Sequence, residues 1–478
     1  MKTEPPETIV TQENITPRTV RNAFVDWIGQ KSRYDTLYRY YIGDQDFPDR
    51  DGNRIVSNFC AYISKALRGY MVGNQPKYVC AENDSYGQQI IDLMHRQTKW
   101  SVDSQLALDM SIYGKAFELV YLPKDKTEPN SVVVSPRNAF VAYTGDMERD
   151  SVFGAVIYSY RDEADTIHYT MYMYDRQSMS VWESVNDDSA DGWRMIQDPV
   201  PHGFGRVPLI EYRNSRDMLG DFEGIMDLQD AYNSLLSDRQ DDKDAFAQTM
   251  LFIQGSIIGA TPEEIEQGKE FLKKTRVLQG DDDTTATWLT KTMDEAGIQV
   301  LQDQYASDIH KFAMVPDLSD EQFAGNASGI AMAYKMFGTD QMMAEKTARF
   351  REGFIRRVKL YDYRLNNPSM SVGYEPRTDI ESMDIIFQFN APQDLSYMAT
   401  ALTQLTASGI MSKATARMQI SAIPDPIEEA ELVEEEASSA SSSDATSFED
   451  DATRSLGRMQ NPPMDDEDED DGEGPVLE

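Results

Sequence analysis

Apolar positions along the chain follow two periods, and their pattern changes near residue 220. Over residues 54–68, Ile55, Phe59, Ile63, Ala66 and Leu67 fall on one helical face, and Gly69 reads as the stop. A short extended stretch, Tyr70-Met71-Val72, then leads through the turn Gly73-Asn74-Gln75-Pro76 to a strand at Lys77–Ala81. Helical spacing returns at about 86–98 and 101–113. Beyond it, β-branched and aromatic runs separated by Asp, Asn and Gly predict strands at Phe117–Leu122, Val132–Val134, Val152–Arg161, Ile167–Tyr174 and Met179–Val185. Such closely spaced strands suit an antiparallel sheet, so the fold class expected is α+β.

Past residue 220 the segments lengthen. Ile225, Met226, Gln229, Tyr232, Leu235, Leu236 and Arg239 form one stripe in a pattern read from Phe222 to Gln254, and beyond Gly224 no Gly or Pro interrupts it. As one helix it would be about 48 Å long. Its middle, Asp238–Asp244, is charged all round and predicts lateral charge pairing with like helices. A compact segment, 259–293, follows, with a helix start at Thr261-Pro262-Glu263-Glu264 and an expected hairpin from Arg276–Gln279 to Thr287–Leu289 around Gly280-Asp281-Asp282-Asp283. A second helix is expected over Asp294–Val315, with Ile298, Leu301, Tyr305, Ile309 and Phe312 on one face and Pro316 ending it. The polar stretch Asp317–Gly329 precedes a third long helix, whose stripe of Met343, Thr347, Phe350, Phe354, Val358, Tyr361 and Leu365 runs to Asn366-Asn367-Pro368. A strand at Asp384–Phe389 and short helices at about 394–408 and 412–420 complete the ordered pattern.

Charge alters the picture at the C-terminal end. The 478 residues carry 45 Lys+Arg against 82 Asp+Glu, a formal net charge of -37. From Glu428 onward 19 residues are acidic and only Arg454 and Arg458 basic, so nearly half of the excess lies there. With its serine run and the block Asp465–Asp471, the stretch 438–478 has almost nothing to bury and is expected to be disordered. So acidic a chain does not grip nucleic acid through a basic face. No apolar run nears the roughly 18 residues that span a bilayer, and the N-terminal MKTEPPETIV lacks a signal-peptide pattern. Two cysteines, Cys60 and Cys80, make no disulfide framework and fit a reducing cytoplasm.

Candidate chemistry is sparse. Neither Gly114-Lys115-Ala116 nor Gly268-Lys269-Glu270 completes a phosphate-binding loop, and His95, His168, His202 and His310 stand too far apart for a zinc site. Cys60 and Cys80 read as packing residues rather than nucleophiles. Asp281-Asp282-Asp283 lacks the spacing of a calcium loop and reads as a solvated turn. The third long helix carries Lys346, Arg349, Arg351, Arg356, Arg357, Lys359 and Arg364; pairing with acidic neighbours is favoured over DNA contact. No cofactor, metal or catalytic residue is expected.

Several segments, in order, resemble the portal proteins of tailed bacteriophages, of the type common in siphophages of Gram-positive hosts. They are Leu37-Tyr38-Arg39-Tyr40-Tyr41-Ile42-Gly43, Asn53-Arg54-Ile55-Val56-Ser57-Asn58, Gly69–Pro76, Gly205–Asn214, Asp221-Phe222-Glu223-Gly224-Ile225 and Leu228–Asn233. Phe323-Ala324-Gly325-Asn326-Ala327-Ser328-Gly329-Ile330-Ala331 is similar to the loop before that family's long kinked helix, and Gly409–Thr415 and Ile423-Pro424-Asp425-Pro426 extend the match to about residue 430.

The resemblance implies a homo-oligomeric ring, usually a dodecamer, at one capsid vertex of the virion, assembled in the bacterial cytoplasm and threaded by double-stranded DNA. It implies a wing (1–220 and 330–390), stem helices (221–258 and 294–315), a clip (259–293), a tunnel loop (316–329) and a crown (391–437). Clip residues Val277, Leu278, Asp281, Asp282, Asp283 and Trp288 would dock the terminase large subunit and then the head-tail adaptor. Loop residues Asp317, Asp320, Glu321, Gly325, Asn326, Ser328 and Gly329 would face DNA. Major capsid and scaffolding proteins are further implied partners, and no membrane is. The rival readings are a carboxylate-based hydrolase, with no constellation behind it, and a monomeric acidic adaptor.

Overall fold

The computed structural model describes residues 8–10, 15–46, 52–254 (apart from 82–83, 125, 162, 164, 185–191 and 248–249), 263, 266, 285–289, 295–317, 329–366, 382–390, 395–420, 423 and 429–436. The chain divides into two compact units, Met1–Pro392 and Gln393–Glu478.

The first unit opens with β1 (Thr8–Val10) and a long helix, α1 (Pro17–Ile42), neither of them expected from the sequence pattern. Its start is nevertheless written locally. The Thr16 hydroxyl accepts from the Thr19 N–H at 3.2 Å and Pro17 fits the first turn. Gly43, at φ 78, closes the other end. Val20, Ala23, Phe24 and Trp27 of α1 lie buried against Phe140, Phe153, Met171, Trp182 and Trp193. Those residues belong to or flank a six-stranded sheet ordered β1-β5-β6-β7-β8-β9. Its members are β5 (Ala139–Thr144), β6 (Ser151–Arg161), β7 (Ile167–Tyr174), β8 (Ser178–Ser184) and β9 (Arg194–Pro201), all antiparallel except β1 against β5. The antiparallel sheet is thus as expected, although β1, β5 and β9 were not.

The main core gathers around α2 (Phe59–Val72), α3 (Ser85–Arg96) and α4 (Lys99–Tyr113). Here the expected helix stop fails. Gly69 lies inside α2, and Tyr70, Met71 and Val72 are helical rather than extended, because burial of all three side chains outweighs the glycine's weak helix propensity. Residues 54–58 are correspondingly extended, and Asn58 caps α2. Short β2 (Lys77–Val79) leaves Cys80 just beyond it and pairs with β13 (Asp384–Ile386), itself shorter than expected. A three-stranded sheet, β10-β3-β4, packs below: β3 (Lys115–Tyr121), β4 (Asn130–Val134) and β10 (Leu209–Arg213). Gly114, at φ +81, turns α4 into β3; a Cβ there would stand 1.9 Å from the Met218 carbonyl oxygen, so only glycine fits.

After a 3-10 turn at Glu223–Ile225 comes α5 (Met226–Ala247). It ends seven residues before the expected limit, since Met250–Gln254 is not helix but strand β11. A short run of consecutive apolar residues carries no period to distinguish the two states. The strand pairs antiparallel with β12 (Thr285–Leu289), Leu251 opposite Trp288. The described partner of β12 is therefore β11 rather than 276–279, which lies outside the described residues. Helix α6 (Glu295–Phe312) and the unbroken 37-residue α7 (Gly329–Leu365) follow. The α7 stripe is as expected: Met343, Phe350, Phe354, Val358, Tyr361 and Leu365 are all buried.

The second unit contains α8 (Leu395–Ala407) and α9 (Lys413–Gln419), the latter capped by Ser412, close to the two short helices expected. Residues 438–478 lie outside the described residues.

Candidate functional site

Three of the segments that carry the resemblance, far apart in sequence, meet at α5: Asn53–Asn58 lies against Leu228–Asn233, and Tyr40 of Leu37–Gly43 donates to Asp230 at 2.5 Å. Residues 53–58 run along that helix to the start of α2. The backbone N–H groups of Asn53, Ile55, Ser57 and Phe59 donate in turn to Asp241 (2.7 Å), Ser237 (3.0 Å), Asn233 (2.9 Å) and Gln229 (3.0 Å). Two residues of extended chain advance about 6.6 Å, and four residues of helix about 6 Å, so every second N–H meets every fourth side chain. Polar side chains of a helix thereby stand in for a neighbouring strand. Gln229 also donates back to the Ser57 carbonyl at 2.6 Å, and Ser237 donates to the Asn233 carbonyl. The other side of the extended segment is held by the end of α1: Asn58 donates to the Tyr41 carbonyl and Arg54 to that of Gln45. Replacing Asn233 by Ala leaves the Ser57 N–H without its acceptor and is expected to cost about 1–2 kcal/mol in urea unfolding, whereas Asn233→Asp, which keeps an acceptor, costs less.

Beneath the ladder, two ion pairs fix where α5 begins. Asp221 meets Lys346 of α7, both almost fully buried, and accepts from Asn214 at 2.8 Å. Glu223 receives a two-pronged contact from Arg33 of α1, at 2.8 and 2.6 Å. Helix α6 lies along α5, held by Arg239, which reaches Glu295 (2.9 Å), Gln302 (2.8 Å) and Gln299 (3.1 Å). Of the charged run Asp238–Asp244, Arg239 and Lys243 reach Glu295 of the same chain, not a like helix. At the far end of α6, Ile309 is buried and His310 sits edge-on to Phe59 and Tyr62. The face expected to be apolar and packed is not covered throughout: Leu301 and Phe312 are exposed, as are Val300, Met314, Tyr334 and Phe337.

Much of the basic run on α7 is internal. Arg349 pairs with Glu352 and Arg351 with Asp384, while Arg357, fully buried, donates to Asp103 (2.7 Å) and Glu118 (2.9 Å). Tyr78 and Tyr212 donate to the same two carboxylates, at 2.5 and 2.6 Å. Burial pushes Glu118 up, but the Arg357 and Lys99 cations outweigh it and hold the carboxyl below its ordinary range. Burial likewise brings the Lys99 ammonium down to about 8. This centre joins α4, β3 and β10 to α7, and no local sequence signal marks it. Burial also pushes the Cys60 thiol up to about 12, far from a thiolate nucleophile.

Of the residues singled out in sequence, few are described. Asp317 follows α6, its carboxylate 4.0 Å from His310 Nε2. Gly329 is the first residue of α7, and Trp288 lies in β12. Asp320, Glu321, Gly325, Asn326 and Ser328, with Val277, Leu278, Asp281, Asp282 and Asp283, lie outside the described residues. Among the described residues no group of three or more His, Cys, Asp or Glu is placed to hold a metal, and no helix is long and apolar enough to cross a membrane.

The fold thus defines a mixed α+β protein with a braced pair of long helices. The family described as "Phage portal protein, SPP1 Gp6-like" matches residues 25–443, most of the chain, and the chain belongs to that family. The portal protein of Bacillus phage SPP1 is 24% identical over 323 residues, covering 65% of this chain and 62% of that protein. The match therefore spans somewhat under two thirds of the relative's length.

Proposed function

We propose that the chain is the subunit of a portal ring, a dodecamer at one capsid vertex, through which double-stranded DNA is packaged and ejected. The observation that carries this reading is the coincidence of the family match with the ladder: the segments 53–58 and 228–233 meet one another, and 221–225 leads into the same helix. In this reading α5 and α6 are the stem, β11, β12 and the residues between them the clip, 316–329 the tunnel loop, α7 and the N-terminal sheets the wing, and 391–437 the crown. The exposed Val300, Leu301, Phe312, Met314, Tyr334 and Phe337 suit burial between neighbouring subunits. A net charge of -37 disfavours firm phosphate contacts, which lets DNA slide. The terminase large subunit would dock on the clip during packaging and the head-tail adaptor afterwards, with major capsid and scaffolding proteins around the wing.

The purified chain is expected to elute as a large assembly and to appear in negative stain as rings with a central hole. A 54.2 kDa monomer at all concentrations would favour the acidic-adaptor reading instead. Within the clip, Trp288→Ala is expected to weaken ring cohesion or motor docking more than Asp282→Ala, measured by ring yield and by packaging in complemented infections.

A further inference from the structure

A cavity of about 440 Å³ opens in the first unit between the β5–β6 hairpin, residues 205–210 and the last turns of α7. Its size is within the range of ligand pockets. Five cations line it, Arg149, Arg176, Arg206, Arg356 and Lys359, against two carboxylates, Glu148 and Asp150. Arg176 pairs with Asp150 at 3.2 Å. Arg206, Arg356 and Lys359 have no ion pair or hydrogen bond among the described residues, although the field of Arg356 reaches the buried Glu211. In a chain with 82 acidic side chains, three unpaired cations at one hollow are not left over for want of carboxylates.

The bottom of the hollow holds a second observation. Tyr143 is 2% exposed, yet its hydroxyl makes no hydrogen bond among the described residues. A buried hydroxyl without a partner is costly, and Tyr143 lines this cavity as well as a smaller one beside Lys115 and Glu211. Burial holds the phenol up at about 12, so it remains a donor at neutral pH. The mouth is shaped by two left-handed residues. Arg149 has φ 47, and Gly205 has φ +63 with Tyr363 so close that a Cβ would stand 2.3 Å from the ring.

We propose that this cavity is a binding site for phosphate groups, held by Arg206, Arg356 and Lys359 at the rim and by the Tyr143 hydroxyl at the floor. Arginine forks match the several acceptor oxygens of a phosphate, and four of the five cations are arginines. The phosphate is either a free inorganic anion or part of a nucleic-acid backbone. The proposal does not rest on the portal reading, since every named residue belongs to one subunit.

The test is calorimetric titration of the full chain at low salt with inorganic phosphate, with a single-stranded oligonucleotide of about eight nucleotides, and with a polyglutamate peptide of matching charge. One saturable class of sites per chain is expected for a phosphate titrant. Arg206→Ala/Arg356→Ala should weaken that class at least about tenfold, and Tyr143→Phe about threefold or more. Both arginines are exposed, so the double variant should keep its circular dichroism and melting midpoint. Inorganic phosphate binding as well as the oligonucleotide identifies a free anion; a large preference for the oligonucleotide identifies a backbone phosphate. Tighter binding of polyglutamate, no saturable class, or an affinity unchanged in Arg206→Ala/Arg356→Ala would each overturn the assignment.

Discussion

Replacing Arg357 by Met is expected to lower the stability of the first unit by about 3–5 kcal/mol, the cost of leaving buried carboxylates without their cation. Asp103 and Glu118 both lose a contact below 3 Å in a place with no water to replace it. The sign of the pH dependence follows. Burial already holds Asp103 above its ordinary range, and without Arg357 both carboxyls lose the charge that most opposes burial and rise, so the mutant is stabilised when they are protonated and loses that support as pH rises through their folded pKa. The deficit against the wild type should therefore be larger at pH 8 than at pH 5 in urea titrations followed by tryptophan fluorescence. Adding Asp103→Asn and Glu118→Gln to Arg357→Met should recover a good part of the loss. An Arg357→Met protein as stable as the wild type at pH 8 would show that the centre is not the pin joining α7 to the sheets.

Crosslinking between neighbouring subunits at 316–329 should leave rings intact and stop DNA packaging almost entirely. Cysteines at Glu321 and Asn326, in a Cys80→Ser background to leave only the buried Cys60, would be joined by a short bifunctional maleimide. The expectation rests on the proposed function and on sequence: thirteen residues from Asp317 to Gly329 are long for a helix–helix connection, and Gly325 and Gly329 provide flexible points. Acidic Asp317, Asp320 and Glu321 would repel phosphate and discourage sticking in the channel. Nuclease-protected DNA per particle is the measurement. Normal packaging by rings verified as crosslinked would rule out a loop that must move.

How much of this was legible in the sequence depends on the distance over which a signal acts. The α7 stripe from Met343 to Leu365 repeats every three or four residues, and all but Thr347 are buried as the period requires. Helix α1 was equally legible through Thr16-Pro17 and the spacing of Val20, Phe24 and Trp27, but its mean polarity hid it. Met250–Gln254 was not legible, because a run of adjacent apolar residues has no period. The ladder lay further out of reach. Its partners are 170 to 188 positions apart, and the only trace is a row of polar residues, Gln229, Asn233 and Ser237, four apart on a largely apolar face. Arg357 was visible as a charge, but nothing nearby said that its two carboxylates come from α4 and β3.

The ladder between residues 53–59 and α5 behaves as a vernier. Twelve helical residues from Gln229 to Asp241 cover about 18 Å, and six extended residues cover about 20 Å, so the two scales slip by about 2 Å over the whole contact. Gln, Asn, Ser and Asp differ in reach by enough to absorb that slip, but a further step or two would exceed it. The match is thus self-limiting, and beyond Asp241 the segment adds only the Asn53 side-chain amide, which donates to Asp244 at 2.7 Å. It also makes the segment a fixed gauge. One residue inserted or removed between Asn53 and Asn58 would put the donors on one side of the change out of step with those on the other, so this stretch should reject length changes even where it accepts changes of side chain.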